Sequence, residues 1–479
     1  MLSILVCHSY FLRFDQKQVQ RAKPYPPLAT LQVAALLRGA GHEVSFFDSM
    51  LAENLERFER QLDVMRPQLV VFYEDNFNFL SKMCLGRMRE ACCRMIGLVR
   101  ARGARLIAAG SDASDAPAHY LGAGADAVLH GEALGELVAI VDRLNGDISL
   151  GAHALAAGLP HVSIAGAAGP ERSRAVARLP EPVAAPLPAW DLVDVEKYRR
   201  VWTKAHGHFS LNMAASRGCS FRCNWCAKPI WGNQYIQRSP RETAAEMIHL
   251  RRHYRPDHIW FADDIFGFKA DWVDEFAAAL AENGGGIPFT IQLRADLVGA
   301  RMTESLRAAG CREIWLGAES GSQRILDAMN KGTRVGEILK ARRLLGAAGM
   351  RVGFFLQLGY LGEDIDDILA TRALVREARP DDVGVSVSYP LPGTKFYEMV
   401  KEQLGAKRHW QESNDLEMMF AGTYRSDFYR LLRNLLHDEV TQAGDPALQQ
   451  RWNDLVEREE EYRQDGALPS PGALSIANA

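Results

Sequence analysis

The chain has 479 residues, a formal net charge of −3, 24% charged and 47% hydrophobic residues. That length holds two or three domains at roughly 100–200 residues each. The near-neutral balance speaks against a nucleic-acid binder, which would carry a basic patch or stripe. The longest apolar stretches, such as Leu69–Tyr73 and Phe354–Leu356, fall far short of the ~20 residues of a membrane-spanning helix. Leu2-Ser3-Ile4-Leu5-Val6 reads as a strand rather than as the charged start of a secretory signal. The expectation is a cytoplasmic protein with no membrane span and no nucleic-acid partner.

The first segment alternates strand and helix patterns. Leu2–Val6, Val44–Phe47, Leu69–Tyr73, Leu106–Ala109 and Ala127–His130 are strand-like, with helical stretches between them. Pro26-Pro27 opens a helix whose apolar positions Leu28, Leu31, Ala34, Ala35 and Leu37 share a side. Such alternation implies βαβ units and a parallel sheet, so residues 1–144 read as a doubly wound, Rossmann-like α/β domain. Ligands of such sheets sit beyond the carboxyl ends of the strands. From Asn145 to about Pro188 the pattern dissolves into a stretch rich in Gly, Ala and Pro with no sustained period, and residues 145–204 read as a connector.

A second alternating series fills residues 205–400. Its strands are Ser210–Ala215, His258–Ala262, Phe289–Leu293, Glu313–Leu316, Val352–Leu358 and Val383–Tyr389. Ser239-Pro240-Arg241-Glu242 starts one of its helices as a capping box with proline at the first helical position. Six βα repeats make a partial (β/α)6 barrel, two short of the eight-stranded TIM form. Residues 401–479 read as a C-terminal helical extension. Phe428–Leu436 is amphipathic there, the run from Glu457 to Glu461 is a solvated helix face, and Pro469–Ala479 is a frayed end.

Eight cysteines in a chain of this length are too few for a disulfide scaffold. Three of them, Cys219, Cys223 and Cys226, form a C-x3-C-x2-C run directly after a strand. A tetrahedral zinc site wants four ligands, and no fourth of suitable spacing is present. Three thiolates on one loop suit a cubane iron–sulfur cluster with one iron left open, since complete ligation takes four cysteines.

This run, with Trp225 in the aromatic slot, resembles the signature of the radical S-adenosylmethionine enzymes. The resemblance implies a 4Fe-4S cluster held by Cys219, Cys223 and Cys226. Its open iron would be chelated by the amino and carboxylate groups of S-adenosylmethionine, whose reductive cleavage gives a 5′-deoxyadenosyl radical. It further implies that Asp263 and Asp264, after the second strand, lie near the methionine amino group. Arg294, ending the third strand, would reach the carboxylate. Glu319 and Ser320, ending the fourth, would meet the ribose or methionine part, and Gly359 would lie in the fifth-strand turn near adenine.

The first domain is similar to the cobalamin-binding domain of cobalamin-dependent radical enzymes. The matching residues are Tyr25-Pro26-Pro27-Leu28, Gly41-His42-Glu43-Val44, Ala109–Ser114 and the stretch from Gly124 to Glu132. That resemblance implies cobalamin, with Gly110, Ser111, Ser114, Gly131 and Glu132 cradling the nucleotide tail and Asn76, Phe77 and Asn78 lining the lower corrin face. There is no Asp-x-His-x-x-Gly, so no lower axial histidine is expected, and Gly131-Glu132-Ala133-Leu134 matches the usual Gly-Glu-x-Glu only in part.

Together the resemblances imply a methylase. Cobalamin would carry a methyl group to an unactivated carbon of a small molecule, of natural-product or tetrapyrrole type, after the deoxyadenosyl radical has removed its hydrogen. An electron donor such as flavodoxin or ferredoxin would serve it. Two alternatives stay open. Pro390-Leu391-Pro392-Gly393-Thr394 and the stretch from Asp415 to Tyr429 resemble the anaerobic magnesium-protoporphyrin monomethyl ester cyclases, which implies an oxidative cyclase or hydroxylase with the same cofactors. A non-catalytic cobalamin or redox sensor is the third possibility.

Overall fold

The computed structural model describes residues 1–166, 169–172, 186–226 and 234–465. The expected frayed end at 469–479 lies outside them, as does part of the stretch read as a connector. The chain divides into two compact units. The first comprises residues 1–214, 227–236 and 409–415; the second comprises 215–226, 237–408 and 416–479.

The first unit is built on a seven-stranded sheet. Its strands are β1 (Ser3–Cys7), β2 (Glu43–Phe47), β3 (Leu69–Tyr73), β4 (Arg105–Ala109), β5 (Ala127–Leu129), β6 (Val162–Gly166) and β7 (Gly169–Arg172), in the order β2-β1-β3-β4-β5-β6-β7. β1 to β5 pair in parallel, with Val6 opposite Phe46 and Val71. Both faces are covered. Leu69, Val71 and Tyr73 join a core with Val33, Leu137 and Ile140, while Val70 and Phe72 join another with Phe58, Met95 and Ile96. Alternate residues of one strand thus feed two cores, which is why β3 reads as an unbroken apolar run. The strand order reverses at β1, flanked by β2 on one side and β3 on the other. A crevice beyond the carboxyl ends of β1 and β3 is where ligands of such sheets bind.

The connector expected at 145–204 is more structured than its composition indicates. β6 and β7 extend the sheet as antiparallel edge strands. The Ala189 amide donates to the Leu31 carbonyl at 3.1 Å, and the Trp202 indole donates to the Pro24 carbonyl at 2.7 Å. Small residues leave no hydrophobic period to read, yet their backbones pair as well as any others.

The order of the six-stranded sheet is β15-β14-β13-β12-β11-β8, from β8 (Ser210–Met213), β11 (His258–Phe261), β12 (Phe289–Leu293), β13 (Cys311–Glu319), β14 (Arg351–Leu358) and β15 (Asp382–Val387). β11 to β15 pair in parallel, and the sheet curls as a half-barrel. A short pair, β9 (Ser216–Gly218) and β10 (Tyr235–Gln237), stands apart. The Ser239–Glu242 capping box forms as expected. β13 is longer than its apolar residues suggested, because Cys311, Arg312 and Gly317–Glu319 continue the ladder beyond the apolar core. In the C-terminal extension, helix Ser426–Thr441 buries Phe428, Tyr429, Leu432, Leu435 and Leu436 and packs on β15 and on helix Ile365–Ala378. The Arg372 guanidinium there bonds Glu439 at 2.5 Å and lies 4.5 Å over the Trp452 ring. Among the described residues no helix is long and apolar enough to cross a membrane.

Candidate cofactor sites

In the second unit the three cysteines follow β9. Cys219 is buried, and Cys223 and Cys226 are half-buried. Among the described residues no group of three or more His, Cys, Asp or Glu side chains has metal-holding geometry. The fit to a cluster therefore rests on the donor set, three thiols on one loop, and on how that loop is held. Asn224, between two of the cysteines, is its anchor. Its amide donates to the Met329 carbonyl at 3.0 Å and its side chain to the Ala328 carbonyl at 2.8 Å. Its Oδ1 accepts from the Tyr360 hydroxyl at 3.0 Å, and its carbonyl accepts from the Phe396 amide at 2.9 Å. Trp225 Nε1 is buried and finds no acceptor among the described residues.

Arg294 braces the same loop. Its Nε and Nη2 grip Asp296 at 2.9 and 3.0 Å, and Nη2 also donates to the Lys331 carbonyl at 2.7 Å and to Thr333 Oγ1 at 2.9 Å. Its Nη1 reaches Cys223 Sγ at 3.6 Å, and its guanidinium carbon lies 3.7 Å from the centre of the Phe221 ring. Lys331 Nζ pairs with Glu319 Oε1 at 2.7 Å, and both side chains are 7% exposed. Burial opposes the Lys331 charge, but the negative charge of Glu319, with that of Cys223 as a thiolate, outweighs it and raises the ammonium pKa.

The other expected residues fall into place around this centre. Asp263 is fully committed: Oδ1 accepts from the Ser216 hydroxyl at 2.5 Å and Oδ2 from the Ala215 amide at 3.0 Å. Burial pushes its carboxyl up to about 7, against those hydrogen bonds. Asp264 follows it and is partly exposed. Ser320 is buried against Thr371 Oγ1 and accepts from the Ser322 amide, so its hydroxyl ties β13 to the helix behind it. Gly359 sits at φ +70°, where a Cβ would come within 2.9 Å of the Met418 methyl carbon. Its amide donates to Glu363 at 2.5 Å, and burial pushes the Glu363 carboxyl up to about 8.

In the first unit, the segment Glu74–Asn78 follows β3. Asn76 is 1% exposed, and neither its amide nitrogen nor its amide oxygen has a partner among the described residues. Nor do His8 Nδ1 and the Tyr10 hydroxyl, both buried just past β1. His8 is held from its other nitrogen by Asp48 at 3.4 Å, and Asp48 accepts from the Tyr198 hydroxyl at 2.8 Å. Orphaned buried polar groups are costly, and these gather at the reversal point between β1 and β3. Asn78 instead caps a helical turn, accepting from the Leu80 amide at 3.0 Å, and Phe77 packs on the core.

The loops after β4 and β5 are tied to each other. Ser114 Oγ donates to the Gly110 carbonyl at 2.7 Å and accepts from the Gly131 amide at 2.9 Å, while the Glu132 carbonyl accepts from the Tyr73 hydroxyl at 2.7 Å. Gly110, at φ +151°, leaves room for Glu74, whose Cβ would stand 2.7 Å from an added methyl. Ser111 opens a five-residue helix beside it. The sequence pattern did not single out Asn224, Tyr360 or Lys331. Asn224 lies inside the cysteine motif, but nothing in the pattern marks Lys331.

The family comparison covers β11 to β14 of the second series of strands. Residues 213–375 match the model of the radical SAM superfamily, and the chain carries a radical SAM domain. Among curated relatives, the hopanoid C-3 methylase of Methylococcus capsulatus is 26% identical over 79% of this chain and 69% of its own length. An uncharacterized methyltransferase of Pyrococcus horikoshii is 24% identical over 48% of this chain. The chain spans about half the length of the first curated relatives it matches. Among solved structures, the radical S-adenosylmethionine methyltransferase TsrM of Kitasatospora setae, with cobalamin and a [4Fe-4S] cluster bound, superposes with a TM-score of 0.67 at 17% identity, over 83% of this chain and 74% of that one. The cobalamin-dependent S-adenosylmethionine radical enzyme OxsB, with aqua-cobalamin and S-adenosylmethionine bound, gives 0.69 at 15% identity, over 96% of this chain and 71% of that one. At these identities the likeness shows the fold.

Proposed function

We propose that the chain is a cobalamin-dependent radical S-adenosylmethionine enzyme that methylates an unactivated carbon of a small molecule. The observation that carries it is the three-thiol loop at Cys219, Cys223 and Cys226, near the start of the segment matching the radical SAM family. When bound, the 4Fe-4S cluster, S-adenosylmethionine and cobalamin supply the electron, the radical and the methyl group; the protein positions and insulates them.

The residues divide the work. Cys219, Cys223 and Cys226 hold the cluster, and Asn224, Tyr360 and Arg294 fix their loop. Asp264, Glu319 and the turn at Gly359 bind S-adenosylmethionine, while Asp263 and Ser320 shape the strand ends from behind. In the first unit, Asn76 and His8 face cobalamin at the β1–β3 reversal, where their unmet hydrogen-bonding capacity favours a polar ligand or the waters it orders. Gly110, Ser114 and Gly131 form a preset backbone wall for its tail. Residues 1–144 are thus the heart of a cobalamin-binding domain and 205–400 of the radical domain, with flavodoxin or ferredoxin as electron donor. The tail resemblance to the cyclases carries less: Met418, Met419 and Phe420 are buried, and Met418 packs against Gly359, a role any core can give such residues.

The test is anaerobic reconstitution of the full chain with iron, sulfide and cobalamin, followed by metal analysis and mass spectrometry of products formed from S-adenosylmethionine under a strong reductant. About four iron and one cobalt per chain, together with 5′-deoxyadenosine, are expected. Zinc at the thiols, or protein that never forms 5′-deoxyadenosine, would refute it. A product heavier by one CH2 supports methylation, whereas a gain of oxygen or loss of hydrogen supports the cyclase-type reaction.

A further inference from the structure

Building on that reading, we propose that the segment His409–Asp415 is a working part of the cobalamin site in the first unit. It is a strap that fixes the connections after β1 and β3, and through Arg89 the one after β4, in the positions from which they receive the cofactor. These residues lie in the stretch read from sequence as a C-terminal helical extension. They belong nonetheless to the first compact unit, while the residues before and after them belong to the second.

Two helices of the first unit begin on the strap. Gly86 opens helix Gly86–Arg100, after β3, and donates its amide to the Trp410 carbonyl at 2.7 Å. Gln16 opens helix Gln16–Arg21, after β1, and donates its amide to Glu412 Oε2 at 3.1 Å. The first amides of a helix have no partner within it, so the strap supplies what both helices lack. Asp15 grips the strap beside them. Its carboxylate oxygens accept from the Ser413 amide at 3.1 Å and from the Ser413 hydroxyl at 2.8 Å, and Gln18 Nε2 donates to that hydroxyl at 3.1 Å. Arg89 Nη2 donates to His409 Nε2 at 3.0 Å, while its Nε donates to Asp112 at 2.7 Å, in the short helix after β4. Asp15, Trp410 and Ser413 are all buried.

The same connections carry the groups assigned to the cofactor. His8 and Tyr10, with their unmet polar atoms, lie between β1 and Asp15; Asn76 lies between β3 and Gly86; Gly110 and Ser114 flank Asp112. Each connection is thus fixed at its near end by a strand and further along by the strap or by Arg89. A loop already held in its bound conformation has less to order when a ligand arrives, and affinity rises by the cost avoided. Trp410 is the one large apolar side chain in the strap, so its contribution is position more than burial. The cobalamin-binding part of the chain is therefore discontinuous: residues 1–144 hold the crevice, and a segment far along the chain sets its shape.

The test uses the full chain with residues 409–415 replaced by a glycine–serine stretch of equal length. Wild type and variant are reconstituted with iron and sulfide, their iron is counted, and hydroxocobalamin affinity is measured by equilibrium dialysis. The variant is expected to keep the iron content of the wild type and to bind hydroxocobalamin about tenfold or more weakly, the worth of one hydrogen bond to a charged group. A synthetic peptide spanning residues 407–417, added at about 1 mM, the effective concentration of a short tether, should restore affinity to within about threefold. The same peptide carrying Trp410→Ala and Ser413→Ala should not restore it, which separates positioning from a general loss of fold. Should the replaced chain fail to fold, Ser413→Ala in the otherwise natural chain takes its place, with an expected loss of about threefold or more. Unchanged affinity, or a loss that the natural peptide fails to restore or that both peptides restore alike, overturns the proposal. Wild-type protein that binds no hydroxocobalamin overturns instead the functional reading beneath it, and the wild-type dialysis tells the two failures apart.

Discussion

Replacing Glu363 by glutamine should stabilise the protein at neutral pH and leave it unchanged in acid. Glu363 is fully buried; Oε2 accepts from the Gly359 amide and Oε1 has no partner among the described residues. Burial raises its carboxyl from 4.5 to about 8, with Asp367 and Asp364 pushing the same way and Arg324 and the Gly359 amide pushing back. The folded state therefore prefers the protonated acid more than the unfolded chain does. The associated stability is complete below about pH 4.5, falls as pH rises, and is fully lost above about pH 8. At about 1.36 kcal/mol per pH unit the loss reaches ~3 kcal/mol at pH 7 and ~5 kcal/mol above pH 8. Glutamine does not titrate, its carbonyl can still accept from Gly359, and its amide stands where the second oxygen had no partner. Denaturant unfolding of wild type and Glu363→Gln from pH 5 to 9 tests this. The curves should nearly meet at pH 5 and separate steadily, the variant being more stable by ~3 kcal/mol at pH 7. Parallel curves, or a wild type that gains on the variant as pH rises, would refute the argument.

Other changes act on the sites. Serine at Cys219, Cys223 or Cys226 should each abolish the broad visible absorption of a reconstituted cluster and lower iron content, while circular dichroism stays native. Tyr360→Phe removes the donor shared by Asn224 Oδ1 and the Ala328 carbonyl, at 3.0 and 3.1 Å. It should cost about 1–2 kcal/mol of stability and speed iron loss to a chelator. Asn76→Leu should displace or reorder bound cobalamin, read as a shifted visible spectrum; if Asn76→Ala, Phe77→Ala and Asn78→Ala all leave that spectrum unchanged, the placement of this segment against the corrin is wrong. Gly317→Ala puts a methyl into the space of Lys331 and Glu319 and should weaken S-adenosylmethionine binding more than it lowers cluster content.

Much of the architecture was legible because its cause is periodic. β3 and β12 run over the residues their apolar patterns mark, and the Ser239 helix starts at its capping box. Periodicity fails where backbone pairing does the work. β6 and β7 come from a Gly- and Ala-rich stretch and join the sheet through main-chain bonds that no side-chain pattern records. The cysteine loop was legible for a different reason: three thiols in eight residues carry their chemistry in their identity. Lys331 and Asn224 escaped because their meaning is relational. A lysine twelve residues beyond a glutamate is unremarkable until a bulge at Gly317–Glu319 brings the two within 2.7 Å.

The saturation of polar atoms separates scaffold from binding site among residues that sequence alone treats alike. Asp263, Ser320 and Arg294 resemble ligand contacts by position, yet their main polar atoms are spent on neighbouring backbone and side chains. Substituting any of them removes an internal support, so their effect on a bound molecule passes through the geometry of the loops. Among the described residues, Asn76, His8 and Lys331 keep donors or acceptors unmet while buried, an arrangement that loses free energy unless a partner is supplied. The two classes should therefore respond differently to ligand. Variants of Asp263 or Arg294 lose stability with or without cofactors present. Asn76→Leu should leave the stability of the apoprotein equal or raised, and lose mainly the added stability that a ligand confers on the wild type.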